Sequence, residues 1–391
     1  MGRGLVSDGV ASGRRRGEVP KTRSSASSQP RQRLRGVDAA RAIAVLGMVM
    51  VHFGPNPAPD TALGNFYGVS HGRASVLFAL LAGVGVALLV GDRLRGWTSL
   101  ARGRLVLRGA LLLPLGLWLQ GLDHGALVIL QYYALYFLFA ALVLTLSDRW
   151  LLAVGAAMLV AGPLVYLWGQ VVVPGWFTND PASLEDPIGK ITRDLFLTGK
   201  YPLVTWAAPL LIGMWVGRRD LASSLIRWWL LILGLAVAIA AALASDKLVA
   251  EFSVLFEKPG ASIFANLLID TPHSQMPLWM LGSIGSACAV LGGTLLLTEW
   301  LPRATWPLVA TGQLALTVYV GHLLLLDAYR ELLKRDAVLE ASFSVAAFML
   351  LVGAACTLWR AVLPRGPLEA VLATPWWLIK RLVQAANRDS K

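Results

Sequence analysis

Long apolar runs constrain the fold of this chain more than any other feature of its sequence. A helix of about 20 apolar residues is long enough to cross the ~30 Å hydrocarbon core of a bilayer. Ten candidate runs lie at about 37–54, 72–91, 106–122, 126–146, 151–171, 202–217, 225–244, 276–298, 306–326 and 341–361. The sequence therefore predicts an all-α fold, a polytopic membrane bundle of about ten transmembrane helices.

The composition supports this membrane assignment. Of 391 residues, 56% are hydrophobic and 15% are charged, and the mean hydropathy is +0.61. A soluble domain carries about 25% charged residues. The two cysteines, Cys288 and Cys356, lie within apolar runs, and their spacing matches neither a disulfide framework nor a metal site.

The distribution of lysine and arginine predicts the orientation. If the N-terminus is cytoplasmic, the inner segments hold 25 of the 35 basic residues and the outer segments hold eight. Because inner loops of membrane proteins are enriched in basic residues, both termini are expected in the cytoplasm, with the chain in the plasma membrane. The net charge of +12 then reflects this bias and a basic tail, and it does not indicate nucleic acid as a partner.

Three regions follow from the composition along the chain. Residues 1–35 are rich in Arg, Ser and Gly and predict a disordered basic cytoplasmic tail. Residues 36–362 form the transmembrane domain, whose first span is the expected insertion signal. Residues 363–391 pair Trp376 and Trp377 with Lys380 and Arg381, a pattern typical of a helix in the inner interface followed by a short tail.

The first span contains two polar residues, Arg41 and His52, eleven positions apart. Eleven helical steps of ~100° make about three turns, so both side chains share one face and lie about 16 Å apart along the axis. Ionisable residues inside a span are costly and are usually functional. A structural alternative exists for Arg41, since Asp38 lies one turn earlier on the same face and can pair with it.

All five histidines fall in the outer half of a span or in an outer segment on this topology, at His52, His71, His124, His273 and His322. Imidazole titrates near neutrality and suits proton transfer with a hydroxyl or an amine. Alternatives remain for each: His52 can cap its helix, His71 can be a solvated loop residue, and His322 can bridge two helices as a neutral imidazole. His124 and His273 are expected to be loop residues.

Several stretches together resemble the transmembrane acyltransferase superfamily. Residues 36–52, GVDAARAIAVLGMVMVH, match the Arg-x10-His spacing of its acyltransferase-3 branch. The wider pattern is similar to heparan-alpha-glucosaminide N-acetyltransferase and to bacterial relatives in domain-of-unknown-function family 418. Its further stretches are HGRASVLFALLAGVGVALL from His71, VILQYYALYFL from Val128, TGQLALTVYVGHLLLL from Thr311 and RGPLEAVL from Arg365.

The resemblance implies transfer of an acyl group from a cytoplasmic acyl-CoA, such as acetyl-CoA, to a sugar hydroxyl or amine outside. It implies His71 as a catalytic histidine, because that residue is the one available in the first outer segment, and it adds to the case for His52. The candidate donor-binding residues are Arg41, Arg93, Arg95 and Arg104. No tightly bound cofactor is expected. The expected partners are the bilayer, the acyl-CoA co-substrate and a glycan or small-molecule acceptor, and self-association into a homo-oligomer is compatible with the sequence.

Two other classes of function compete with acyl transfer. A transporter or lipid or glycan flippase would place the same charged face along a translocation path, although no inverted repeat and no matching pair of broken spans is evident. A non-catalytic scaffold would leave Arg41 and His52 without a role. The polar residues Gln131, Tyr132, Tyr133 and Tyr136 suit either a cavity lining or an interfacial aromatic belt.

Overall fold

The computed structural model describes residues 33–55, 61–91, 98–178, 180–257, 262–333 and 337–374. Within these ranges the chain forms helices and turns and no strand, which confirms the all-α prediction. Most of the predicted N-terminal tail, Arg93, Arg95 and the interfacial segment from residue 375 onward lie outside the described residues. Leu34–Lys391 is one compact unit, and Met1–Arg33 is a separate unit of which only Arg33 is described.

Sixteen helices follow one another along the described ranges. They are α1 (Arg35–Phe53), α2 (Ala62–Gly68), α3 (Arg73–Val90), α4 (Thr98–Gln120), α5 (Leu130–Val143), α6 (Asp148–Val172), α7 (Ile188–Arg193), α8 (Leu203–Gly217), α9 (Ser224–Glu251), α10 (Ser253–Glu257), α11 (Ser262–Ala265), α12 (Pro277–Trp300), α13 (Trp306–Gln313), α14 (Ala315–Ala328), α15 (Arg330–Leu333) and α16 (Val338–Val362). A π-helical turn, Asp194–Thr198, continues α7, and residues 367–374 are also helical.

Each of the ten predicted runs contains a helix. Six stretches are long and apolar enough to cross a membrane, namely α1, α2 with α3, α6, α9, α12 and α16. The number is eight if each of two bent helix pairs counts as one span. The remaining two predicted runs are α4, whose first half carries Arg102, Arg104 and Arg108, and α5, which has only 14 residues. The protein is therefore a helical membrane protein.

Helix α1 lies at the centre of the bundle. It packs against α3, α12 and α13, and it also contacts α14 and α16. Helices α9 and α16 lie at the periphery and expose large apolar side chains such as Leu243 and Leu350, which face lipid in a membrane. The polar residues of α1 are thereby held inside the bundle, away from the hydrocarbon chains.

Close approach of α3 and α8 depends on glycine. A Cβ at Gly83 would collide with the backbone of α8, and a Cβ at Gly213 would collide with the backbone of α3. Small residues let membrane helices approach closely where no hydrophobic force draws them together. Gly83 is therefore a helix-packing position, whereas the position of a Cβ on nearby Gly85 lies 3.3 Å from Arg41 Nη2.

Two helix pairs are sharply bent, which the sequence did not indicate. The segment Ile188–Thr198 meets α8 at 57°, and α13 meets α14 at 77°. The new N-terminus at the second bend is capped by Glu369, whose carboxylate accepts hydrogen bonds from the backbone N–H groups of Leu316 (2.8 Å) and Thr317 (3.0 Å). A negative group at this position satisfies free N–H donors and favours the helix dipole.

Cysteine labelling tests the predicted orientation. Glu185, between α6 and α7, and Thr271, before α12, are exposed, as is Ser99 at the start of α4. We expect cysteines at Glu185 and Thr271 to react with an impermeant thiol reagent on intact cells, and a cysteine at Ser99 to react only after lysis. The unsubstituted protein is the control, since its own two cysteines lie within α12 and α16. Reaction of the Ser99 position alone in intact cells would reverse the orientation.

Candidate functional site

Two histidines from distant parts of the chain meet inside the bundle. His52, in the last turn of α1, and His322, in α14, face each other with 3.0 Å between His52 Nδ1 and His322 Nε2, close enough for one hydrogen bond. His322 is fully buried, and its Nδ1 lies 3.3 Å from the carbonyl oxygen of Val318. The prediction that His322 bridges two helices is confirmed, and its partner is one of the two predicted catalytic histidines.

Aromatic side chains surround this histidine pair. Phe53 and Tyr319 pack edge-on against the His322 ring, with ring centroids 6.2 and 5.1 Å away. The Tyr319 hydroxyl accepts a hydrogen bond from the backbone N–H of Ile129 (3.1 Å), which fixes α14 against the start of α5. The His322 ring is therefore enclosed by its neighbours, while His52 is only partly buried and is the more accessible member of the pair.

The opposite end of α1 carries a polar network. Arg41 Nη1 donates to Asp38 Oδ1 at 3.0 Å, as the structural alternative for Arg41 predicts. Asp38 also accepts from Gln313 Nε2 (3.2 Å), and Gln313 Oε1 accepts from Arg360 Nε (2.6 Å). The network joins α1 to α13 and α16, so Arg41 has a structural role whatever else it does.

Four arginines gather at this end of the bundle. Arg108 lies within electrostatic range of Arg41 and Arg104, and Arg104 lies within range of Arg365. We call Arg41, Arg104, Arg108 and Arg365 the arginine cluster. Among the described residues, neither Arg104 nor Arg108 has an acidic partner, so the cluster carries uncompensated positive charge. Uncompensated guanidinium groups inside a protein are suited to binding phosphate.

The interior between the two ends of α1 is aromatic. The rings of Phe78 and Tyr133 lie 5.1 Å apart, and those of Phe78 and Tyr319 lie 6.4 Å apart, in a row that ends beside His322. Tyr133 is also within electrostatic range of Arg41. Tyr133, Phe78 and Tyr319 therefore form a continuous row of aromatic side chains from the neighbourhood of Arg41 to His322.

The polar residues of α5 all point into the protein. Gln131, Tyr132, Tyr133 and Tyr136 are each at most 5% exposed, which argues against an interfacial aromatic belt. Tyr132 donates to Asp194 (2.6 Å) and Tyr136 donates to the carbonyl of Tyr201 (2.6 Å). The amide of Gln131 and the hydroxyl of Tyr133 have no hydrogen-bond partner among the described residues.

His71, the other predicted catalytic histidine, lies in the turn before α3 beside His273. Gly72 in this turn has φ +71°, and a Cβ there would come within 3.3 Å of the backbone nitrogen of His273. Burial, helped by the charges of His71 and Lys200, lowers the pKa of His273 to about 4, so its imidazole is neutral at physiological pH. His273 lies in a loop, as the sequence predicts, and it also lies beside a predicted catalytic histidine.

A closed ring of aromatic side chains holds His273 in place. Its members are Tyr201, Trp206, Trp279 and His273, with neighbouring centroids 4.9 to 6.1 Å apart. His273 and Gln275 both adopt positive φ (60° and 64°), an unusual conformation for residues other than glycine. Such backbone strain persists only where surrounding contacts impose it, and it is common at functional sites.

His124 has a structural role. Its Nε2 lies 2.8 Å from the carbonyl oxygen of Leu119, and its Nδ1 accepts from the backbone N–H of Ala126 (3.0 Å). Both ring nitrogens are therefore satisfied by the backbone in the short connection between α4 and α5. This confirms the prediction of a loop residue and leaves no lone pair for chemistry.

The structure therefore brings the predicted residues together only in part. Arg41 and Arg104 join the arginine cluster, Arg93 and Arg95 lie outside the described residues, and His52 and His71 have different neighbours. Three residues outside the main predicted set also contribute, namely Arg108, Tyr133 and His322. All three have a signal in the sequence, because Arg108 lies four residues after Arg104 on the same helical face and the other two are polar residues within apolar runs. The sequence does not show which partners they meet.

The fold and the site define a helical membrane protein that keeps imidazole and guanidinium groups inside its bundle. The described residues include no cluster of three or more His, Cys, Asp or Glu side chains arranged to hold a metal ion. A family model described as an acyltransferase domain, that of the acyltransferase-3 family, matches residues 126–360. This is more than half of the chain, which therefore belongs to the acyltransferase-3 family and is a membrane acyltransferase. No curated protein matches the sequence.

The matched region includes Tyr133 and His322 and begins after α1, so it contains neither Arg41 nor His52. The assignment of those two residues depends on their geometry and on the Arg-x10-His spacing. The closer resemblance to heparan-alpha-glucosaminide N-acetyltransferase stays a prediction.

Proposed function

We propose that this protein takes an acyl group, in the first instance acetyl, from a cytoplasmic acyl-CoA and transfers it to a hydroxyl or amine of an acceptor, such as a sugar, outside the plasma membrane. One observation carries the proposal: the central helix α1 contributes Arg41 to the arginine cluster at one end and His52 to the histidine pair at the other. The two ends match the two halves of an acyl-CoA, since one half carries phosphates and the other carries the reactive thioester.

The arginine cluster would bind the phosphates of the donor. Arg104 and Arg108 supply charge without an acidic partner among the described residues, and Arg41 adds a guanidinium group already oriented by Asp38. Charge-assisted hydrogen bonds from guanidinium groups to phosphate are about twice as strong as neutral ones. The basic-residue bias predicts that this end faces the cytoplasm, where acyl-CoA is made.

His52 would act as the general base. Its Nε2 takes the proton from the acceptor hydroxyl or amine while the acceptor atom bonds to the thioester carbonyl carbon. The carbon–sulfur bond then breaks, and the protonated imidazole returns its proton to the leaving thiolate. The products are the acylated acceptor and free CoA, and the histidine ends in its starting state.

His322 would support this role by fixing the position of the proton on His52. A carbonyl oxygen only accepts hydrogen bonds, so the contact with Val318 places the His322 proton on Nδ1 and leaves a lone pair on Nε2. His52 Nδ1 then donates to that lone pair, and the lone pair of His52 lies on Nε2. In this arrangement the partly buried His52 is the histidine that acts as the base.

His71 is the second candidate base, as the family resemblance implies. It lies beside a neutral His273 and a strained loop, so this place also has the features of a functional site. In the proposed arrangement His71 contributes to the acceptor side, while His52 performs the proton transfer.

A transporter or flippase is the second candidate function, and the two bent helix pairs favour it. Broken helices line the substrate sites of many secondary transporters. A transporter, however, has no need for uncompensated arginines at one end of a helix and a hydrogen-bonded histidine pair at the other.

Acyl transfer by the purified protein is the direct test. We expect protein in detergent or proteoliposomes to release CoA from radiolabelled acetyl-CoA and to leave the label on an added glycan or amine acceptor. Protein-free membranes of the same composition are the control. Release of CoA without labelled product would limit the activity to hydrolysis, and no release across a panel of short-chain acyl-CoA donors would favour the transporter.

A further inference from the structure

The Tyr133 hydroxyl is buried in the middle of the bundle and lacks a hydrogen-bond partner within the described ranges. Tyr133 is 5% exposed, and its Oη has no hydrogen-bond partner among the described residues. Leaving a buried donor unsatisfied costs about 1–3 kcal/mol, so nearly all such groups in proteins are satisfied by protein, water or ligand. A phenol retained here at this cost points to a ligand that supplies the missing acceptor.

The neighbours of Tyr133 come from three other helices. Phe78 of α3 packs on its ring at 5.1 Å, and both Arg41 of α1 and Tyr319 of α14 lie within electrostatic range. Tyr133 therefore lies near Arg41 of the arginine cluster and also near Tyr319, which packs on His322 of the histidine pair. The two neighbouring tyrosines of α5, Tyr132 and Tyr136, use their hydroxyls to hold α5 in place.

We propose that Tyr133 Oη donates a hydrogen bond to a carbonyl oxygen on the amide-containing arm of the acyl carrier. This inference rests on the proposed function, since it assigns the part of the donor between its phosphates and its thioester. The arm of CoA is a flexible chain with secondary amides, whose carbonyl oxygens accept a phenolic O–H well. The thioester itself would lie further along α1, at His52.

This assignment determines which kinetic parameter changes. A hydrogen bond to the arm is equally strong before and during acyl transfer, so it contributes uniform binding and acts on KM and not on kcat. Tyr133 is accordingly a donor-binding residue and takes no part in proton transfer.

The test is Tyr133→Phe, with Tyr136→Phe as the matched control. Tyr133→Phe removes an oxygen for which the described part of the chain offers no partner, so we expect thermal stability to be equal or higher while the Kd for CoA rises about tenfold. Tyr136→Phe removes a hydroxyl that donates to Tyr201, so we expect lower stability and an unchanged Kd for CoA. The two variants therefore have opposite patterns of stability and binding.

Adenosine 3′,5′-bisphosphate, which has phosphates but no arm, is the second probe. We expect Tyr133→Phe to leave its binding unchanged. Equal Kd values for CoA in Tyr133→Phe and wild type, or equal weakening of both ligands, would overturn the assignment of Tyr133 alone. A wild-type protein that binds neither ligand would overturn the proposed function, and this inference with it.

Discussion

Replacing His52 with Gln is expected to lower acyl transfer by at least ~100-fold, because Gln roughly preserves volume and hydrogen bonding but cannot exchange a proton near neutrality. The loss should appear in kcat, while the Kd for CoA should stay close to that of wild type because the arginine cluster lies at the other end of α1. Initial rates with labelled acetyl-CoA, measured on folded protein, check this expectation.

Two further histidines make the comparison decisive. His124→Gln alters a ring whose two nitrogens bond to backbone atoms, so it should lower stability but leave the turnover of the folded protein unchanged. His71→Gln separates the two candidate bases. If His71→Gln loses ~100-fold and His52→Gln retains near wild-type turnover, the base lies at the His71–His273 site and the proposed role of the histidine pair is wrong.

Replacing Arg108 with Gln is expected to remove about half or more of the stabilisation that CoA confers on the detergent-solubilised protein. A ligand at 100 times its Kd stabilises the folded state by about 2.7 kcal/mol, and the loss of one charge-assisted hydrogen bond raises Kd by roughly 10- to 100-fold. Without ligand, the variant should be no less stable than wild type, because Arg108 is surrounded by like charges of Arg41 and Arg104. Thermal unfolding with increasing CoA measures both quantities.

Arg218 provides the matched arginine control. Its guanidinium donates to Asp148 (2.9 Å) and to the carbonyl of Leu146 (2.7 Å), outside the arginine cluster. Arg218→Gln should therefore reduce stability and leave the CoA response intact. An undiminished CoA response in Arg108→Gln would show that the cluster does not bind the donor phosphates and that its charge reflects membrane topology alone.

Much of the fold could be predicted because membrane helices are encoded locally. Apolar length marked the position of every helix that spans or nearly spans the bundle, and helical spacing placed Arg41 and His52 on one face. The bends could not be predicted in the same way. The break between α13 and α14 falls at Leu314, a residue with no intrinsic tendency to end a helix, and its cap comes from Glu369, 55 positions later.

The sequence could predict individual residues of the site but not the distant residues that they contact. Charge inside an apolar run is visible in the sequence, so Arg41 and His52 stood out. Their partners were not visible, because His322 lies 270 residues from His52 and Gln313 lies 275 residues from Asp38. The sequence also could not distinguish Tyr133 from Tyr136. Only the packed structure shows that the Tyr136 hydroxyl has a hydrogen-bond acceptor, whereas that of Tyr133 has none among the described residues.

The long sequence separation between His52 and His322 also affects how the protein is synthesised and inserted. The first half of the histidine pair enters the membrane with α1, and the second half is synthesised 270 residues later. A nascent chain is inserted from its N-terminus, so growing intermediates contain the arginines of α1 and α4 long before α14 emerges. A fragment of this kind could attract nucleotide thioesters but would lack the partner of His52. In the proposed mechanism, the late position of α14 therefore postpones acyl transfer until the bundle is nearly complete.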